Sequence, residues 1–185
     1  NIVDEFVELC RTEKCCNELC AAWLRRASET TDAEERHKLL FDIARYSAED
    51  LGNPSLAFTV LFAAALDADK AVALAAELEK LAPQTNRWEE VVSVLGCLAS
   101  AMFDEEQRRI ALEKRIDILL NKLDAPNLAM EDYARLMAIH PDDEELLGVI
   151  ERLAEEKGMY DKLLGIYGEI WDATKNNELR SAISA

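Results

Sequence analysis

The chain has 185 residues, half of them apolar, with six Gly and four Pro against abundant Ala, Leu and Glu, which suits packed helices rather than a disordered tail. Acidic residues outnumber basic ones 37 to 21 for a formal net charge of −16, and no Lys/Arg cluster relieves it, so nucleic-acid binding is disfavoured. The most apolar stretch, 60–76, is broken by Asp67, Asp69 and Lys70, so no membrane insertion is expected.

In chain order, apolar spacing and start signals predict helices over 2–13, 16–29, 32–51, 54–67, 69–82, 87–101, 105–123, 126–139, 142–156, 160–173 and 177–184. Thr31 with Glu34, Asn86 with Glu89 and Asp104 with Gln107 have the spacing of an N-cap and its answering side chain. Pro54, Pro126 and Pro141 stand where helices should begin, a position that tolerates a missing N–H. Leu112, Ile116, Leu119, Leu120 and Leu123 share one helical face, and no stretch alternates like a strand. The acids Asp142 to Glu145 fall in a first turn, where negative charge complements the helix dipole.

The same pattern recurs at an offset of 72 residues without gaps. Leu51-Gly52-Asn53-Pro54 lies over Leu123-Asp124-Ala125-Pro126, and Arg87-Trp88-Glu89-Glu90 over Met159-Tyr160-Asp161-Lys162. Leu74, Leu78 and Leu81 superpose on Leu146, Ile150 and Leu153. Shifted backwards, Cys16, Leu19, Cys20 and Trp23 fall on Trp88, Val91, Val92 and Leu95. Each period holds two helix pairs of about 36 residues, near the roughly 34 of a tetratricopeptide unit. The units read as 1–31 (partial), 32–68, 69–103, 104–140, 141–175 and 176–185 (partial), in one α-solenoid segment over 1–185. The chain begins at Asn1 without Met, so a longer parent is expected.

Residues 123–143 resemble the second half of a tetratricopeptide repeat: Ala129, Tyr133 and Pro141 match its small residue, its aromatic and its closing proline. Gly158-Met159-Tyr160, with Tyr167, resembles the Gly-x-Tyr turn and helix of the next unit. Asn53-Pro54 and Arg87-Trp88-Glu89-Glu90 resemble turns of long bacterial arrays of this kind. Departures occur: Glu79 and Glu151 replace a small residue, and Val91 and Leu163 replace alanine. The resemblance implies an all-α, right-handed α-solenoid of antiparallel helix pairs whose first helices line a concave groove for a peptide or protein partner. Carried over position by position, that groove takes Lys38, Phe41 and Arg45, then Ala73, Ala76 and Lys80, then Glu113 and Asp117, then Glu145, Gly148 and Arg152. The Lys/Asn grip on a C-terminal carboxylate used by some relatives is not present; Phe41, in a mainly polar neighbourhood, is the expected anchor.

Four cysteines, Cys10, Cys15, Cys16 and Cys20, suggest zinc or redox chemistry, but Cys-x4-Cys-Cys-x3-Cys lacks the usual knuckle spacing. The register equivalents of Cys10, Cys16 and Cys20 are apolar, so buried packing is the simpler expectation and the metal set the weaker alternative. Cys97 is isolated, and His37 and His140 belong to no triad and are expected at caps or the surface. Trp23, Trp88, Tyr133, Tyr160 and Tyr167 are expected to pack between neighbouring pairs. With no phosphate loop or dinucleotide fingerprint, the chain reads as a non-catalytic scaffold without cofactor. A helical accessory domain of a larger enzyme or regulator is the alternative. Unpaired thiols in odd number suggest a reducing, cytoplasmic setting, and the ends of such an array leave room for self-association.

Overall fold

The computed structural model describes residues 8, 9, 12, 16–65, 71–174, 176, 180, 181 and 183. Among them are nine α-helices and no strand: α1 (Cys16–Glu29), α2 (Ala33–Glu49), α3 (Pro54–Ala65), α4 (Ala71–Thr85), α5 (Trp88–Ala101), α6 (Glu105–Asn121), α7 (Pro126–Ile139), α8 (Glu144–Lys157) and α9 (Tyr160–Ala173). None of these helices is long and apolar enough to cross a membrane. The chain divides into two compact units, residues 1–94 and 95–185.

In the first unit α2 packs against α1 and α3, and α3 against α4. Capping explains where α2 begins. Asp32, extended at φ −71° and ψ 119°, accepts the Glu35 N–H at 2.7 Å. The cap is therefore Asp32 and not Thr31, because only the later residue places its oxygen over the first free N–H. At the other end Asp50 and Leu51 both donate to the Tyr46 carbonyl, and Gly52 turns left-handed at φ +58°. Asn53 Oδ1 then accepts the Leu56 N–H at 3.0 Å, and α3 starts at Pro54. Four residues thus reverse the chain into a helical hairpin. Ile43, Phe58, Leu74 and Leu78 fill the interior, and Trp23 meets Tyr46 edge-to-face at 5.7 Å.

Two expectations fail at the end of α4. The helix runs past residue 82 and through Pro83, whose missing N–H falls in the last turn, to Thr85. Asn86 does not cap α5: at φ +54° it closes α4 by donating to the Ala82 carbonyl at 2.8 Å. Arg87 follows, with its guanidinium 4.3 Å from the Phe58 ring centroid and Nε donating to Glu90 at 2.8 Å. That ion pair holds the Glu90 carboxyl below the usual range.

The second unit uses the same devices. Asp104, at φ −74° and ψ 119°, accepts the Gln107 N–H at 2.7 Å and opens α6. Lys122 and Leu123 donate to the Ile118 carbonyl, Asp124 turns left-handed at φ +46°, and Pro126 opens α7. Pro141, expected at a helix start, lies in the turn before α8; the cap is Asp143, which accepts the Leu146 N–H at 2.9 Å. Gly158 ends α8 at φ +68°. α7 packs against α6, α8 and α9, and Lys162 of α9 donates to the Asn127 carbonyl at 2.8 Å and to Glu131 at 2.9 Å on α7. The buried Thr174 hydroxyl donates to Asp142, tying the end of α9 to the turn between α7 and α8.

Inside this unit sits a buried ion pair. Asp132 on α7 is fully buried and lies 2.5 Å from Arg115 Nη1 on α6, with Arg135 at 3.4 Å. Its second oxygen, Oδ2, and Arg115 Nε are buried without partners. Gly96 leaves room for the guanidinium, since a Cβ there would stand 3.3 Å from Arg115 Cζ and Nε. Burial pushes the Asp132 carboxyl above its ordinary 3.8, against the pull of Arg115 and Arg135.

Tyr133 is buried and Trp23 packed, but Tyr160, expected in the same role, is 57% exposed. Leu164 and Trp171 are exposed on the same stripe of α9, with the Arg180 guanidinium 5.5 Å from the Trp171 ring centroid. His37, expected at a cap or the surface, is buried on α2, and His140 is exposed as the C-cap of α7.

Candidate binding grooves

Each unit carries a groove of similar size, built the same way. In the first unit α2 supplies Phe41, Asp42, Ala44, Arg45, Ala48 and Glu49 along one face, and α4 supplies Glu77, Lys80, Leu81 and Gln84. Leu61 of α3 joins them in the lining of a space of about 420 Å³. Phe41 is half-buried, while Arg45 and Lys80 reach solvent. Among the described residues each cation pairs within its own helix, Arg45 with Asp42 at 3.1 Å and Lys80 with Glu77 at 2.6 Å. Such exposed i,i+3 pairs contribute roughly 0.2–0.5 kcal/mol, so an incoming carboxylate could compete for either cation.

In the second unit α6 supplies Arg109, Glu113, Ile116, Asp117, Leu120 and Asn121, α8 supplies Leu146 and Val149, and α7 supplies Tyr133, Leu136 and the cap His140. Asp143 joins from the turn, and the space is about 410 Å³. Arg109 bridges Glu106 at 2.7 Å and Glu113 at 2.6 Å. The two carboxylates drive the Arg109 pKa further up, and Arg109 holds Glu106 below the usual carboxylate range. Asn121 Nδ2 donates to Asp117 at 2.7 Å. Tyr133 is only 9% exposed, and burial pushes its phenol up.

The two linings correspond. Glu113, Ile116, Asp117, Leu120 and Tyr133 of one stand 72 positions after Phe41, Ala44, Arg45, Ala48 and Leu61 of the other. Of the groove residues named from sequence, Phe41, Arg45 and Lys80 meet in the first groove, and Glu113 and Asp117 in the second. Lys38 and Arg152 are exposed and line neither; Arg152 Nε donates back to the Gly148 carbonyl at 3.1 Å. The side chain of Ala73 lies outside the described residues. Sequence reasoning missed Leu61 and Tyr133 as lining residues. Both sit on second helices, where an apolar periodicity signals only packing.

Of the thiols, Cys20 is buried with Sγ 3.7 Å from Ser47 Oγ, and Cys97 is exposed. Cys10, Cys15 and the side chain of Cys16 lie outside the described residues. Among the described residues no three His, Cys, Asp or Glu converge as a metal-binding group. No family model, no curated protein and no solved structure matches this chain.

Proposed function

We propose that this chain is a tetratricopeptide-like segment, a right-handed solenoid with a 72-residue double repeat, that acts as a non-catalytic scaffold holding a peptide or protein partner. The observation that carries this reading is the pair of equivalent grooves, each lined by two successive first helices and by the second helix between them. Their side chains mix an apolar floor with separated charges, which suits an extended peptide better than a small apolar ligand. The matching bounds of α2 with α6 and of α5 with α9, each 72 residues apart, support the double repeat. A reducing, cytoplasmic setting fits the odd number of cysteines, five.

Panning a random peptide library against the immobilised chain tests the reading. It should yield peptides whose affinity falls by about 1–2 kcal/mol with Phe41→Ala, while thermal stability changes little. Raising salt should slow association more than it speeds dissociation, since exposed charges are screened within about 8 Å at physiological ionic strength. Peptides indifferent to Phe41→Ala would move the site away from this groove.

One further surface favours self-association as a second reading. Tyr160, Leu164 and Trp171 form an exposed apolar stripe on α9, whereas Val92, Leu95 and Ala99, at the register positions of Leu164, Tyr167 and Trp171 on α5, are buried. Concentration-dependent sedimentation abolished by Leu164→Glu would support it.

A further inference from the structure

We infer that the groove of the second unit is a subsite for a cationic side chain, lysine or arginine, of the peptide held by the proposed scaffold. The inference rests on the scaffold reading and adds the chemistry of one ligand residue. Its first support is charge. Asp117 accepts from the Asn121 amide and Asp143 from the Leu146 N–H, and among the described residues neither carboxylate pairs with a cation. Arg109, the one guanidinium in the lining, is already answered by Glu106 and Glu113. In the first unit the position of Asp117 is taken by Arg45, so this charge belongs to the second groove alone.

The second support is Tyr133. The Tyr133 residue is nine-tenths buried and lines the same groove, and among the described residues none hydrogen-bonds its hydroxyl. A hydroxyl at the groove surface that no protein donor engages is an open acceptor, and an ammonium or guanidinium brings several donors at once. Ile116, Leu120 and Leu136 supply apolar surface for the methylene stem, so the head reaches the carboxylates while the stem stays dry.

The test uses a fluorescently labelled peptide selected on the intact chain, with each lysine or arginine replaced in turn by norleucine, which keeps the stem and removes the charge. One such replacement should weaken binding about fivefold, the size of one partly screened ion pair. Asp117→Asn and Tyr133→Phe, both isosteric and checked for unchanged helicity, should weaken the parent peptide similarly and leave the norleucine peptide unaffected. A peptide sensitive to Phe41→Ala but indifferent to norleucine and to Asp117→Asn would overturn this inference and leave the scaffold reading standing. No bound peptide at all would overturn both.

Discussion

Where the first unit buries Ile43 and Val60, the second, 72 residues on, pairs a half-buried Arg115 with a buried Asp132. Around both sites the backbone is drawn with the same instruments: an aspartate cap, a left-handed residue and a proline at the first position of the next helix. The hydrogen bonds agree as closely, with Asn53 N to Ser47 O and Ala125 N to Leu119 O both at 2.8 Å. A few terminal signals set these hairpins, and the interior accepts either an apolar contact or an ion pair. The ion pair is bought with two unsatisfied atoms, Asp132 Oδ2 and Arg115 Nε.

Breaking the pair should have the largest effect. Asp132→Ala leaves the half-buried Arg115 without its anion and should destabilise the second unit by up to about 3–5 kcal/mol, read by denaturant unfolding. Replacing both members by the residues of the first unit, Arg115→Ile with Asp132→Val, should instead be neutral or stabilising by up to about 4 kcal/mol. A double variant as unstable as the single one would mean that the two interiors are not interchangeable.

The pH profile sharpens the same contrast. Because the Asp132 carboxyl is raised above its ordinary 3.8, the native state holds this proton more tightly than the unfolded chain does. The resulting stability is complete below pH 3.8 and is lost as pH rises through the folded value. The stability difference between wild type and Arg115→Ile/Asp132→Val, followed upward from pH 3.8, should therefore shift steadily against the wild type. A flat difference would place the carboxyl at its ordinary value.

The caps should show the smallest effect and no contrast. Asp32→Ala and Asp104→Ala should each cost about 1 kcal/mol, equally in the two units, because the two bonds share length and geometry. Costs that differ severalfold would break the equivalence of α2 and α6.

The parts of the fold legible in the sequence were those written in local chemistry. Pro54, Pro126 and Asp104 each have one structural use at their position, and the helices they open begin where they predict. Asn86 reads as an N-cap in the sequence but closes α4, because asparagine serves both as an N-cap and as a left-handed closing residue. Thr31 and Asp32 can both cap, and spacing alone does not say which side chain reaches the free N–H. Tyr160 shows a different limit: register gives the face a residue occupies, while burial depends on what lies against that face. The grooves were half legible for the same reason. First-helix residues follow from the positions that the tetratricopeptide resemblance assigns to a groove, whereas Leu61 and Tyr133 look like any other core position.

The central claim is that the grooves hold the peptide, and residue-resolved amide chemical shifts during titration with a selected peptide test it most directly. The account predicts perturbations confined to one or both grooves: Phe41, Arg45, Lys80 and Gln84 along the first, Glu113, Asp117 and Tyr133 along the second. Perturbations that leave these residues still and follow Tyr160, Leu164 and Trp171 on the outer side of α9 would contradict it.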